Sequence, residues 1–142
     1  MELADLVAYA RRQPWAVEAT VAADGAPQAA VIGVVVTDRL EIVFDTDADS
    51  RKAKNLLRDP RIALTIGWDE GQTLQLEGVA DELQGEELAP LFAAYLARFP
   101  DAKERAMGRA IRYFRVRPTW VRYTDFRTGK PVIAELSGAA LR

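Results

Sequence analysis

Four residues near the middle of the chain have the types and the spacing of an anion-binding site. Thr46, Ser50, Arg51 and Lys52 combine two hydroxyl groups with two adjacent cations. The pattern predicts a strand that ends at Thr46, a short loop, and a helix that begins with Ser50 as its N-cap. A helix N-terminus offers free N–H groups and the positive end of the helix dipole, so it favours an anion such as a phosphate.

The two cations are unfavourable for the helix itself. A positive charge in the first turn costs about 0.3–1 kcal/mol, because carboxylates are preferred at that end. A bound phosphate would offset this cost. The alternative is a capped helix whose cations face solvent and are neutralised locally by Asp47 and Asp49. Spacing alone leaves both interpretations open.

The composition limits the chemistry that could accompany such a site. The 142 residues include no histidine and no cysteine, so catalytic triads, thiolate nucleophiles, iron–sulfur clusters and the usual zinc or haem ligands are not expected, and no metal site is predicted. With 19 basic and 21 acidic residues the net charge is −2, which does not favour nucleic acid. An enzyme built from this chain would work with carboxylates, Lys, Tyr, Ser or Thr, or with a bound cofactor.

The elements that must position these residues are mainly β, and the chain is expected to form one domain over residues 1–142. Hydrophobic periodicity predicts helices over residues 2–12, 50–58 and 88–99 and strands over 15–21, 28–36, 40–46, 61–68, 73–83, 111–117 and 119–126. Mostly antiparallel strands in so short a chain should curl into a small barrel, with helices over its openings.

Several local features qualify this prediction. The first strand is expected to be half-buried, with apolar residues such as Val17 and Ala19 alternating with Glu18 and Thr20. Gly78, inside a strand pattern, suggests a bulge or a close backbone approach. Residues 101–110 are polar and poorly patterned, and 127–142 are expected to form a weakly ordered C-terminal tail.

No segment has the features of a membrane or export signal. No apolar run approaches the roughly 18 residues of a membrane helix. Residues 1–13 lack the charged n-region and the cleavage site of a signal peptide. We therefore expect a cytoplasmic protein with no membrane partner.

Two longer runs of sequence extend the anion-site pattern. They are Phe44-x-Thr46-x-x-x-Ser50-Arg51-Lys52-x-x-Asn55-Leu56-x-x-Asp59-Pro60-Arg61-Ile62-Ala63-Leu64 and Leu76-Glu77-Gly78-Val79-Ala80-Asp81. Together with the order of elements, they resemble the pyridoxamine 5′-phosphate oxidase-related FMN-binding split barrels, from about Trp15 to Phe126. The resemblance implies an antiparallel split barrel of six to seven strands and a homodimer with one FMN in each of two clefts between subunits. It also implies that Arg51 and Lys52 bind the flavin phosphate, with help from Ser50 and Thr46.

Three differences separate the chain from the oxidases of that family. The second strand has no cofactor-binding cation, since residues 28–33 read Gln-Ala-Ala-Val-Ile-Gly. A position that is Gln in the family corresponds to Thr73, which we retain as a cofactor-binding candidate. The C-terminal Trp and Arg pattern for the pyridoxal substrate is not reproduced at matching spacing. The resemblance therefore implies a flavin-binding oxidoreductase, with an unidentified small-molecule substrate, that is not a genuine pyridoxamine-phosphate oxidase.

The resemblance leaves two other functions open, and no catalytic residue is assigned. Some members of the family bind the deazaflavin F420 and share a Thr…Lys…Asn-Leu…Asp-Pro pattern, so an F420-dependent reductase is one alternative. A non-catalytic, flavin-binding dimeric module is the other, favoured by the missing cation on the second strand.

Aromatic and basic residues on other strands also have two interpretations. Trp68 and Trp120 could lie against a flavin ring, or they could anchor the core or a dimer interface. The Arg-rich final strands, with Arg112, Arg115, Arg117 and Arg122, could receive an anionic ligand. They could equally pair with Glu41, Glu77 or Asp81 on neighbouring strands.

Overall fold

Antiparallel pairing joins eight strands into one curled sheet in the computed structural model, which describes residues 1–142. The helices are α1 (Leu3–Arg11), α2 (Arg51–Arg58), α3 (Gly85–Arg98) and α4 (Ala102–Arg105), with a final 3-10 helix, Gly138–Leu141. The strands are β1 (Trp15–Val21), β2 (Pro27–Gly33), β3 (Val35–Val36), β4 (Ile42–Asp47), β5 (Arg61–Ile66), β6 (Gln72–Leu83), β7 (Ile111–Asp125) and β8 (Val132–Ser137).

The sheet runs in the order β2-β1-β5-β6-β7-β4-β3, and β8 also pairs with β7. Its two end strands, β2 and β3, do not pair with each other, so the barrel is open along that line. The predicted mainly β, antiparallel split barrel is therefore confirmed. No helix is long and apolar enough to cross a bilayer.

The barrel interior holds the main hydrophobic core. Inward residues of β4, β5, β6 and β7 pack there with α1, and Phe44 and Phe114 are its largest fully buried side chains. Their rings stack with centroids 5.7 Å apart. A smaller cluster on the other side of β4 packs under α3 around Val43 and Tyr95. The outside of the β1–β5–β6 region has no helix over it in this chain.

β1 turns its polar residues inward. Ala16, Glu18 and Thr20 are 0%, 2% and 1% exposed, whereas Val17 and Ala19 are only half-buried. The usual arrangement of apolar side chains toward the core and polar ones toward solvent is thus reversed on this strand. The reversal brings a carboxyl and a hydroxyl group to the inner side of the sheet.

Three strand predictions need correction. Residues 28–36 form two strands rather than one, because the chain bends at Val34, whose N–H donates to Pro14 O at 3.2 Å. Residues 111–125 form one strand rather than two. Pro118 is accommodated because β4 pairs only as far as Val116 and β8 begins at Trp120, so no partner strand on that edge needs its N–H.

The C-terminal segment also corrects the sequence prediction of a weakly ordered tail at about 127–142. Val132–Ser137 pairs along β7 as β8, and the following 3-10 helix buries Leu141 to 6% exposure. Leu136 packs against the barrel core. The pattern was weak because one side of β8 is open to solvent, with Ile133, Glu135 and Ser137 exposed. Part of the poorly patterned stretch 101–110 likewise forms α4.

Gly78 lies where β6 shifts its register against β7, which confirms the predicted bulge. A Cβ at this position would lie 2.5 Å from Arg117 O and 2.8 Å from a methyl carbon of Val116. The close approach of two backbones therefore requires glycine here.

We expect Gly78→Ala to lower the free energy of unfolding by about 1–3 kcal/mol, because the clash is with backbone that cannot move aside. Urea unfolding measures the change. Gly129→Ala is the matched control, since a Cβ there meets nothing within 4 Å. Equal stability of the two variants would contradict the close approach.

Candidate functional site

A cleft of about 150 Å³ lies between the start of α2 and strands β1 and β2. Its lining residues are Glu18, Thr20, Gln28, Ala29, Ala30, Arg51 and Lys52. We call it the α2 cleft. It contains both predicted cations and three polar residues that the sequence pattern did not assign to the site.

The start of α2 is built as the sequence predicted. Ser50 is the N-cap, and its Oγ accepts a hydrogen bond from Ala53 N at 3.1 Å. Thr46, 8% exposed at the end of β4, places its Oγ1 2.7 Å from the Ser50 Oγ. The two hydroxyl groups therefore bind each other and fix where the helix begins.

Arg51 and Lys52 follow in the first turn of α2, which has no acidic residue. Neither cation forms an ion pair with the protein, and both line the α2 cleft. Asp47 pairs with Arg109 instead, and Asp49 forms no ion pair. Asp47 and Asp49 therefore do not neutralise these cations through ion pairs; Arg51 is exposed to solvent and Lys52 is half-buried.

Asn55 connects α2 to strands β1 and β2 by side-chain hydrogen bonds. Its side chain is 5% exposed, and Nδ2 donates to Thr20 Oγ1 at 3.0 Å and to Gln28 Oε1 at 2.9 Å. One buried amide thus connects the helix to β1 and to β2. Because buried hydrogen bonds of this kind are costly to leave unmade, Asn55 sets the distance between the cations and the sheet.

Glu18 is the acidic residue of the α2 cleft. It is 2% exposed, and its Oε2 is enclosed with no hydrogen-bond partner. Burial raises the pKa of the Glu18 carboxyl to about 7, against the lowering effect of the Lys52 charge. Sequence reasoning did not select this residue. No signal in the sequence indicated its burial, because the alternation of Glu18 and Thr20 with Val17 and Ala19 predicts that Glu18 faces solvent.

The remaining two predicted site residues lie elsewhere. Trp68 follows β5 and is 52% exposed. Thr73 lies on β6 between buried neighbours, so its side chain is on the outer face of the sheet, whereas Glu18 faces inward. Within one chain, the structure does not bring Trp68 and Thr73 to the α2 cleft.

The outside of the sheet presents an apolar surface. Val31 on β2 is 63% exposed and Val79 on β6 is 44% exposed. Two open grooves, of about 750 and 270 Å³, cross this side of β1, β5 and β6. We call this surface the outer apolar face, and define it by Val17, Ala19, Val21, Val31, Ala63, Val79 and Trp120.

The Arg-rich part of β7 forms ion pairs with neighbouring strands. Arg115 lies 2.8 Å and Arg117 3.1 Å from Asp81 carboxyl oxygens, and Arg112 lies 2.7 Å from Glu82. The structure therefore favours cross-strand pairing over an anion site for these cations. Arg51 and Lys52 differ from them in having no carboxylate partner.

Replacement of Glu18 by Gln should change how stability depends on pH. The wild-type free energy of unfolding should fall between about pH 4.5 and 7, because the folded state holds the Glu18 proton that the unfolded state releases. Above that range the free energy of unfolding of the wild type should have fallen by on the order of 2–3 kcal/mol relative to its value at low pH, whereas that of Glu18→Gln should show no such loss. Urea unfolding at about pH 4 and pH 8 compares the two proteins, and parallel pH profiles would contradict the buried carboxyl.

Comparison with known proteins identifies the family. The family model described as pyridoxamine 5′-phosphate oxidase matches residues 3–125. A pyridoxine/pyridoxamine 5′-phosphate oxidase from Burkholderia multivorans is 36% identical over 77 residues, which are 54% of this chain and 36% of that protein. One from Bordetella petrii is 36% identical over 70 residues, 49% of this chain and 33% of that protein. The matched segment thus spans about a third of these curated relatives.

Solved structures share the fold at lower identity. A heme-binding protein from Mycobacterium smegmatis superposes with a TM-score of 0.83 at 22% identity, over 98% of this chain and 59% of that one. A pyridoxamine 5′-phosphate oxidase-related, FMN-binding protein from Nostoc punctiforme gives 0.71 at 15% identity, over 94% and 90%. The heme storage protein HutZ from Vibrio cholerae gives 0.70 at 21% identity, over 83% and 91%. The family match over residues 3–125, with the split barrel that these proteins share, establishes that this chain belongs to the pyridoxamine 5′-phosphate oxidase family.

Proposed function

We propose that this protein is an FMN-binding oxidoreductase that works as a homodimer and holds the flavin phosphate at Arg51 and Lys52. The observation that carries the proposal is the pair of cations without protein partners at the N-terminus of α2, both lining one cleft. Family membership and the FMN-binding relative from Nostoc punctiforme support the choice of FMN.

The α2 cleft suits a phosphate ester for electrostatic reasons. The helix dipole and the two cations favour a dianion at the same place. A phosphate oxygen held by Arg or Lys forms charge-assisted hydrogen bonds, which are stronger than neutral ones. Ser50 and Thr46 act on the ligand indirectly, because their hydroxyl groups already bind each other and cap the helix.

The redox chemistry would come from the flavin, which can accept or donate a hydride when bound. The residues of this chain would anchor the phosphate, orient the ligand against the sheet and limit access of water. This division of labour suits a sequence without histidine or cysteine. The missing second-strand cation and the Thr73 position support an activity other than oxidation of pyridoxamine phosphate.

The division of the predicted site between two faces of the sheet supports the homodimer. Arg51 and Lys52 lie at the α2 cleft, whereas Thr73 is on the outer face. Exposed apolar patches of this kind often mark protein–protein contacts. A second copy docked on the outer apolar face would cover Val31 and Val79 and could bring its Thr73 and Trp68 toward the cofactor.

The two alternative functions would use the same α2 cleft. An F420-dependent reductase would use the anion site for a deazaflavin, and a non-catalytic module would bind flavin without turnover. Haem, which the names of the Mycobacterium and Vibrio relatives mention, fits less well. The chain has no His or Cys to serve as an ordinary axial ligand, and the α2 cleft is lined by no Met or Tyr.

We expect the purified protein to be yellow with flavin absorption bands, and Arg51→Ala/Lys52→Ala to lose its FMN while remaining folded. The helix entrance loses charge but no core contact, so a fall in FMN affinity of at least about 100-fold is expected from two charge-assisted contacts. Absorbance and fluorescence titration measure it. Lys54→Ala/Lys103→Ala is the control, since it removes the same charge from exposed positions outside the cleft.

The other possible outcomes of that experiment bear on the phosphate site and on the choice of cofactor. Unchanged FMN affinity in Arg51→Ala/Lys52→Ala would remove the assigned phosphate site. Colourless protein that is stabilised only by F420 would support the reductase. Protein indifferent to both ligands would contradict the flavin proposal.

Val31→Glu should convert a dimer into a monomer at micromolar concentration, because it places a charge at the most exposed large apolar side chain of the outer apolar face. Light scattering measures the mass. Ala93→Glu on the exposed side of α3 is the control and should remain dimeric. A wild-type protein that is monomeric at micromolar concentration would contradict the shared cleft.

A further inference from the structure

Glu18 is a buried acid placed inside a site that otherwise attracts anions. Its side chain lines the α2 cleft together with Arg51 and Lys52. No protein group donates a hydrogen bond to its enclosed Oε2, and no ion pair joins it to either cation. A carboxyl group that is 2% exposed and unpartnered is costly, so its retention calls for a partner outside the chain.

The neighbours of Glu18 provide no such partner. It pairs across the sheet with Ala30 of β2 and Leu64 of β5, neither of which can titrate. The charged groups that face it come from α2 alone and are Arg51 and Lys52. Whether the Glu18 carboxyl is protonated therefore depends on the ligand that lies between it and those two cations.

An anion bound in the α2 cleft would determine whether the Glu18 carboxyl is protonated. If Glu18 were a carboxylate, it would repel a phosphate dianion bound in the same cleft. As a carboxylic acid, it could donate an O–H···O⁻ hydrogen bond to a phosphate oxygen, which is a short and strong type. An anionic ligand thus favours the protonated form, and burial favours it in the same direction.

We propose that Glu18 is a ligand-binding residue that donates a hydrogen bond to the anion held by Arg51 and Lys52, so that binding takes up one proton. The proton comes from solvent and stays on the Glu18 carboxyl, and no bond of the ligand is broken. The inference rests on the anion site of the proposed function but not on the flavin ring.

The consequence is a binding affinity that falls as pH rises. Between about pH 7.5 and 9 a phosphate ester is already a dianion, so its own titration contributes little. Over that interval the wild-type affinity for FMN should drop about tenfold or more, because fewer molecules hold the Glu18 proton. Glu18→Gln keeps the shape and a permanent N–H donor, so its affinity should be equal at both pH values.

The experiment uses two probes, FMN and sulfate. Sulfate is a dianion throughout this pH range and has no ring, so it tests the anion site alone. Fluorescence titration follows FMN, and thermal stabilisation by sodium sulfate against sodium chloride at equal ionic strength follows the anion. Calorimetry in two buffers with different ionisation enthalpies counts protons, and about one proton should enter the wild-type complex and none the Glu18→Gln complex.

Two further variants complete the test. Glu104→Gln on exposed α4 should behave as the wild type, because it removes the same charge outside the cleft. Glu18→Leu removes both donor and acceptor and should bind weakly at both pH values. If Glu18→Gln is poorly folded, Glu18→Leu still distinguishes a hydrogen-bonding role of the Glu18 side chain from a purely steric one.

The outcomes separate this inference from the proposed function. FMN binding without proton uptake would overturn the role of Glu18 and leave the flavin proposal intact. Proton-linked sulfate binding without FMN binding would support Glu18 and overturn the flavin proposal. Failure to bind either probe would overturn both.

Discussion

The hydrogen bonds of one buried amide determine how the helical and β parts of the site meet. Asn55 donates to Thr20 Oγ1 and to Gln28 Oε1, and so seats α2 on β1 and β2 beside the open line of the barrel. A split barrel leaves strand ends and polar groups accessible along that line. Because Asn55 holds the helix on β1 and β2, the cations at the start of the helix line one cleft with inward residues of β1.

Ion pairing differs between the cations of β7 and those at the start of α2. Arg112, Arg115 and Arg117 on β7 each reach a carboxylate on a neighbouring strand. Arg51 and Lys52 do not, although Asp47 is close in sequence and pairs with Arg109 instead. These two unpaired cations at a helix N-terminus are the charges that our proposal assigns to a bound anion.

The two faces of the sheet have different roles. The inner face carries the core and the α2 cleft, and the reversed burial of β1 places Glu18 and Thr20 there. The same reversal puts Val17 and Ala19 outside, next to the exposed Val31. One change in strand orientation therefore accounts for both the polar cleft and the outer apolar face.

The sequence by itself determined the fold class, the start of α2 at Ser50, the bulge at Gly78 and the position of two cations beside a helix N-terminus. These features depend on local rules of capping, periodicity and backbone sterics, which act within a few residues. Only the tertiary structure decided which side of β1 is buried, because the alternation in the sequence favours burial of Val17 and Ala19, whereas the folded chain encloses Glu18 and Thr20. It also decided that residues 132–137 form β8, since a strand with one open side gains its stability from pairing with β7. Glu18 could not be recognised in the sequence for a similar reason: its place in the site depends on its burial and on its position in one cleft with Lys52, a residue far away in the chain.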